Sequence, residues 1–321
     1  MIRHKTVLTL ILAAIVLWPP AATYPQDRNR IGISSISLGF LPTVLAEKKG
    51  FYAKHGLTTE HVVMPCAIAT NALLSEDLDY AVCTGPGISG AIKGLPIKLV
   101  MATQDKLGYL LLVRPEVQKL TDLHGKTIGI SSYGSQLHLT SVTLLRQSGM
   151  EPGKDVNLLP AGDNLARLLA LDSRKIDAAF VSSPADIFGA RKGYRVLLWS
   201  RDLVPLLQNA LVVTDKKLKQ SSDQVKRTIK ASIEALRFLR EHQEESIETA
   251  AKWIKLDSVT TRAAFENYLP CYSADGSLTD QAMQTLIQYE VERAKLKKEI
   301  AVAQVADRSL LIQAQRELQL R

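Results

Sequence analysis

Apolar positions along this chain change their period in a regular way. Short continuous or alternating apolar runs, such as 97–103 and 109–113, are separated by stretches in which apolar residues recur at helical spacing, as do Leu137, Val142, Leu144 and Leu145. The first pattern predicts strands and the second amphipathic helices. Read in order, the chain predicts a strand over 31–38, a helix through 45–49, a strand over 60–64 and a helix over 67–74. Strands follow at 80–84, 97–103 and 109–113. Further strands at 126–131, 156–159, 178–182 and 196–199 alternate with helices near 136–147, 164–172 and 185–191, before a strand at 211–214 and helices from 222 onward. This alternation predicts an α/β fold of two mixed, mainly parallel sheets flanked by helices. In the helical tail, Val225, Ile229, Ile233, Leu236 and Leu239 make one stripe, which reads as core packing.

Two continuous apolar strands, near 110 and 212, bracket the middle of the chain. They predict a discontinuous first lobe of 30–113 and 212–321, an inserted second lobe of 114–211, and a cleft that opens and closes about the two crossings. Ligands of open α/β sheets sit beyond the carboxyl ends of the strands. Those ends carry Phe40 and Leu41, Thr84 and Gly85, Gln104, Ser132, Tyr133, Gly134 and Ser135, and Ser182 with Ser183. The predicted cleft is lined by hydroxyls and backbone donors, with very few charged groups.

The segment 125–149 is central to that expectation. Its strand passes through a Ser/Gly turn into a helix closed by Gly149, so the first backbone N–H groups of the helix point into the turn. Such a helix start receives an anion or a polar ligand group. It is equally a place where Ser135 serves only as an N-cap. Both readings stay open on the sequence.

Composition and charge narrow the setting. Arg3 and Lys5 precede an apolar run at 7–18, and Pro19, Pro20 and small residues through Thr23 follow. This is the three-part layout of a secretory signal peptide, and the run is too short to span a bilayer. Residues 1–23 are therefore expected to direct export to the periplasm, with an uncleaved N-terminal anchor as the alternative. The formal charge is +8, and about +6 once Arg3 and Lys5 are set aside. Bases and acids mix along the helices, as at Lys226, Arg227, Lys230 and Glu234, which marks solvated faces. No basic run interleaved with aromatics points to nucleic acid. Cys66, Cys83 and Cys271 match no zinc or disulfide-scaffold spacing and read as buried thiols, although an exported chain can pair two of them. The six histidines form no cluster of ligand spacing, so no metal is expected.

Two catalytic patterns nearly fit. Gly85, Gly87 and Gly90 match a G-x-G-x-x-G dinucleotide fingerprint with Asp105 at the end of the next strand, but the helix after them reads as only 88–93, too short for the usual crossover. In the run 129–134 the second glycine comes one residue too late for a nucleophile elbow. A triad built on His124 or His138 is not excluded by order alone.

A family resemblance extends from about Ile31 to the C terminus. FLPTVLAEKKGFYAKHGL at 40–57 resembles the opening signature of solute-binding proteins of the nitrate, taurine and alkanesulfonate group, which includes thiamine-pyrimidine-precursor binders. NALL at 71–74 before LDYA at 78–81, LHGKTIGI at 123–130, KIDAAF at 175–180 and ADRSLL at 306–311 are similar to later segments of that family, in the same order. The resemblance implies a type II periplasmic binding fold and a monomer without cofactor that delivers a small polar or anionic solute to the permease and ATPase subunits of an ATP-binding-cassette importer. Alternatives are a pyrimidine-forming enzyme of the thiamine pathway, whose cysteine-rich motif is absent here, and a solute sensor without a transporter. A sulfonate or nitrate suits the donors at 132–135, whereas a pyrimidine suits stacking on Phe40 or Tyr133.

Overall fold

The computed structural model describes residues 27–204 and 206–320; the expected signal segment lies outside them. The first part of the chain contains β1 (Asp27–Ile33), a 3-10 turn (Leu38–Phe40), α1 (Leu41–Lys48), α2 (Phe51–Lys54), β2 (Leu57–Val63), α3 (Cys66–Leu74), β3 (Tyr80–Val82), α4 (Thr84–Ile92) and β4 (Ile97–Gln104). The middle contains β5 (Tyr109–Val113), β6 (Thr127–Ile130), α5 (Gln136–Gln147), β7 (Asn157–Pro160), α6 (Asn164–Asp172), β8 (Ala178–Ser182), α7 (Ala185–Arg191) and β9 (Arg195–Trp199). The last part contains β10 (Asn209–Thr214), α8 (Asp215–Gln220), α9 (Ser222–Glu241), α10 (Gln243–Ile254), α11 (Ser258–Tyr268), α12 (Asp280–Arg293), α13 (Val302–Val305) and α14 (Ser309–Glu317).

The strands form two five-stranded sheets of matching plan, β2-β1-β3-β10-β4 and β7-β6-β8-β5-β9. In each, the fourth strand runs antiparallel to both neighbours and has just arrived from the other sheet: β10 lies between β3 and β4, and β5 between β8 and β9. This corrects the expected division of the chain. The strands near 110 and 212 are not themselves the crossings, which lie in the segments just before them, such as 105–108 and 206–208. Residues 109–113 thus belong to the second sheet, and 209–211 to the first. An apolar strand buried on both faces looks the same in either sheet, and the choice is made by distant partners such as Leu111 with Phe180.

β1 also ends earlier than its apolar pattern predicts. Its pairing with β2 stops at Ile33 opposite Val63, and residues 34–37 leave the sheet as a serine-rich loop. Within the first unit, Gly85, Pro86 and Gly87 fall inside α4 rather than in a phosphate loop. A Cβ on Gly87 would lie 2.8 Å from Val212 Cγ2, and one on Gly90 2.9 Å from Leu95 Cδ1. The fingerprint glycines therefore let α4 approach β10 and its own following turn. Cys66 and Cys83 are joined, S–S 2.08 Å, tying the first residue of α3 to the residue before α4, which corrects the reading of three buried thiols. Cys271 alone is a buried free thiol. In α9 the whole stripe from Val225 to Leu239 is buried. Each such side chain contributes about 1.5–3 kcal/mol through removal from water.

Candidate functional site

The carboxyl ends of β1, β6 and β8 and the two crossing segments meet at a cleft between the sheets. Its larger part, about 690 Å³, is walled by the loop residues Ser34, Ser35 and Ser37, by Phe40, and across from them by Ser131, Asn164, Arg167 and Ser182. A second part, about 380 Å³, lies between the starts of α4 and α5 and is walled by Thr84, Gly85, Ser132, Tyr133, Gly134, Ser135 and the Cys66–Cys83 bridge. Ser34, Tyr109, Gln208 and Asn209 border both parts. They form the waist of one continuous site.

Eight of the eleven expected positions line this cleft: Phe40 and Ser182 in the larger part, and Thr84, Gly85, Ser132, Tyr133, Gly134 and Ser135 in the smaller. Three do not line it. Leu41 is fully buried in the apolar core that α1 joins. Gln104 is buried too, and its Oε1 accepts from Asn209 Nδ2 at 2.6 Å, so it holds a wall residue in place. The Ser183 hydroxyl donates to Asp186 Oδ1 at 2.5 Å beneath α7. Leu41 and Ser183 each follow a wall residue directly, where helix entry and strand alternation turn side chains away from the cleft, and Gln104 stands behind the wall residue Asn209.

Sequence reasoning missed Ser34, Tyr109, Asn164, Gln208 and Asn209 in this wall and, with the largest consequence, the cation Arg167. It sits in the second turn of α6, beside Leu165, Leu168 and Leu169, where a lone arginine reads as a solvated helix position. In the structure it is only 4% exposed. Its guanidinium turns back over the helix start, donating to the Gly162 carbonyl and to Asn164 Oδ1 (2.6 Å), while its Nε–H has no partner. Asn164 in turn donates to the Ser182 hydroxyl at 2.9 Å and accepts from the Ser182 backbone N–H at 3.2 Å. Burial lowers the Arg167 pKa to about 10, so it remains a cation at neutral pH. Asp163 favours that charge, but its Oδ1 caps α6 by accepting from the Ala166 N–H at 2.8 Å. A signal for this position existed in the Gly162-Asp163-Asn164 turn, which marks a helix start at a strand's carboxyl end.

The crossing segments shape the same end of the cleft. Gly108 donates its N–H to Gln208 Oε1. A Cβ there would stand 2.8 Å from Tyr268 Cζ, so glycine is what lets the Tyr268 ring cover the crossing. From α11 Tyr268 reaches toward Ser182 and Gln208, and burial raises its phenol far above the usual range. Nearby, Asn267 Nδ2 donates to Asp186 Oδ2 at 2.8 Å. These contacts join the first unit to the second along one edge.

The two helix starts in the smaller part differ. Ser135 caps α5: its Oγ accepts from the His138 N–H at 3.1 Å, is bonded by Ser131 Oγ at 2.9 Å, and donates to the Ser132 carbonyl at 2.7 Å. Gly134, at φ +75°, gives its N–H to His138 Nδ1 at 3.1 Å. Burial and the Arg293 charge hold the His138 pKa below the usual imidazole value. α4 has no side-chain cap, and the Thr84 hydroxyl, 3% exposed as a residue, has no partner. Tyr133 stands at the rim, 65% exposed, with its hydroxyl on the Leu158 carbonyl. Among the described residues no group of three or more His, Cys, Asp or Glu side chains is placed to hold a metal ion.

Two sheets of this plan, two crossings and a cleft at the strand ends define a periplasmic binding fold. Residues 38–246 match the NMT1/THI5-like family, and the chain belongs to it. It is 26% identical over 272 residues, 83% of each chain, to a candidate binding protein of Brucella abortus. Its fold is that of the periplasmic aliphatic sulphonate binding protein SsuA from Escherichia coli, with TM-score 0.73 and 18% identity, covering 88% of this chain and 92% of that one. The same fold occurs in the desulfurization enzyme DSZB, with TM-score 0.69 and 15% identity over 91% of this chain and all of that one, at 100%.

Proposed function

We propose that the protein is the solute-capturing component of an ATP-binding-cassette importer, taking a small organic anion into the cleft and releasing it to membrane permease and ATPase partners. One observation carries the anionic class: Arg167 is a buried cation at the wall of the cleft, with no carboxylate bonded to it and its Nε–H without a partner. A buried charge with no carboxylate bonded to it is costly, and an incoming anion reduces that cost. Membership of the family and the binding-protein relative support capture as the role. An exported, periplasmic setting agrees with the expected signal segment. Among the described residues no helix is long and apolar enough to cross a membrane.

The enzymatic neighbour raises the question of turnover. Cys271 is a poor nucleophile, because it is wholly buried and its thiol is pushed up to about 11 by that burial. Cys66 and Cys83 border the cleft but are spent on each other. We therefore read the site as binding without chemistry.

Calorimetry against taurine, methanesulfonate, benzoate and nitrate tests the proposal. A micromolar ligand, about −8 kcal/mol, is expected among the organic anions. Arg167→Gln should weaken it roughly 10- to 100-fold, the worth of a charge-assisted hydrogen bond. Equal affinity of the variant, or steady conversion of the bound compound, would overturn the reading.

A further inference from the structure

Each end of the cleft holds a buried polar group that the protein leaves without a partner. In the larger part it is Arg167 Nε, and in the smaller part the Thr84 hydroxyl. Both are buried donors that the chain leaves idle, and a ligand oxygen that meets either one as the cleft closes around it relieves that cost. Thr84 is also the first residue of the nine-residue α4, whose start has no side-chain cap, so the positive end of that helix adds to the hydroxyl. Glu290, which borders a small cavity with Gly85 and Ser135, is paired with Arg293 at the C-terminal end of α12.

The waist between the two ends is different in kind. Its amides are already used: Asn209 Nδ2 donates to the Gly39 carbonyl and to Gln104 Oε1, and Gln208 Oε1 takes the Gly108 N–H. What remains to touch a ligand there is the Tyr109 ring and the Ser34 hydroxyl, with the Phe40 ring and the Cys66–Cys83 sulfurs on either side. Apart from that hydroxyl, the rings and sulfurs suit a carbon middle.

Building on the anion-capture reading, we infer that the ligand is a two-ended acid, with one anionic group on Arg167, a second at Thr84 and the start of α4, and a hydrocarbon or aromatic middle at the waist. Monoacids fill only the first end.

The test is calorimetry with length-matched pairs: hexanoate and adipate, butane-1-sulfonate and butane-1,4-disulfonate, benzoate and terephthalate. For at least one pair the diacid should bind roughly tenfold or more tighter than the monoacid, the gain of one further charged contact. Thr84→Val keeps the shape and removes the hydroxyl; it should take at least about fivefold from the diacid and leave the monoacid within about twofold. Thr84→Ser, which keeps the hydroxyl, should retain the preference for the diacid and serves if the valine variant does not fold. Equal affinity within every pair, or equal loss for both members on Thr84→Val, overturns the two-ended ligand while leaving anion capture standing. Failure of every acid to bind the wild-type protein overturns both.

Discussion

The helices α5 and α4 start at the same cavity and settle their first turns in opposite ways. α5 is closed by its own sequence: the Ser135 hydroxyl makes three hydrogen bonds within 131–138, and the Gly134 N–H is taken by His138. α4 has a backbone start with no side-chain cap and an idle threonine hydroxyl. The first arrangement is complete without a ligand. The second leaves free the donors that a ligand can use. A capping residue in a sequence thus locates a helix start, yet the start best capped is the one with least left to offer a guest.

The two starts are also held in place differently, and the largest expected effect follows from that. α4 is anchored covalently through Cys83 to Cys66 across a separation of 17 residues, whereas α5 rests on hydrogen bonds and packing. Replacing both cysteines by alanine should lower stability by about 3 kcal/mol, the value for a closed loop of this size. Urea unfolding of the variant, and of the wild-type protein with and without reductant, reads this directly. An unchanged midpoint would mean that packing alone positions α4.

The next effect probes that packing. Gly87→Ala places a methyl 2.8 Å from Val212 Cγ2. Overpacking should cost about 1–3 kcal/mol, offset by about 1 kcal/mol of better helix propensity, for a net loss of up to about 2 kcal/mol. Solvent-exposed helix glycines gain stability from the same change, so a rise in melting temperature would contradict close approach of α4 to β10.

Ser135→Ala and Thr84→Val should separate the two starts most cleanly. The first removes a working cap and should lower stability by about 1 kcal/mol. The second removes a hydroxyl that bonds to nothing in the chain and should leave thermal melting unchanged or slightly raised. Equal melting losses in both variants would erase the contrast.

The smallest effect is a pH dependence at α5. Burial and Arg293 lower the folded-state pKa of His138 below its unfolded value near 6.5. The folded state then binds fewer protons than the unfolded one, so this stability is fully present above about pH 6.5 and declines as pH falls below it. Protonation also removes the acceptor for the Gly134 N–H. Melting between about pH 7.5 and 5 should fall less steeply in His138→Gln than in the wild-type protein. Parallel slopes would show that His138 does not carry the effect.

Much of the architecture is legible in the pattern of apolar residues. The helices at 136–147, 164–172 and 185–191 and the strand at 178–182 coincide with α5, α6, α7 and β8. Local period, caps and stop signals decide such elements within a dozen residues, and Ser135 before α5 and Asp163 before α6 do cap as their residue types predict. The strand ends likewise pointed to eight residues that line the cleft, because cavities at those ends follow from sheet topology rather than from particular side chains.

What only the tertiary structure decided is where long-range partners choose between locally equal options. β5 and β10 are equally apolar on both faces, and pairing placed each in the sheet that the other part of the chain begins. Cys66 and Cys83 stand 17 positions apart in sequence, and their Cα atoms come within 5.6 Å only because β3 returns beside β1. Arg167 has the neighbours of a surface residue in sequence; the fold over its helix start buries it in the cleft as a cation with no carboxylate bonded to it. Periodicity reports which face of an element is buried. It cannot report what lies opposite that face, and the charge and shape of the site are set by what lies opposite.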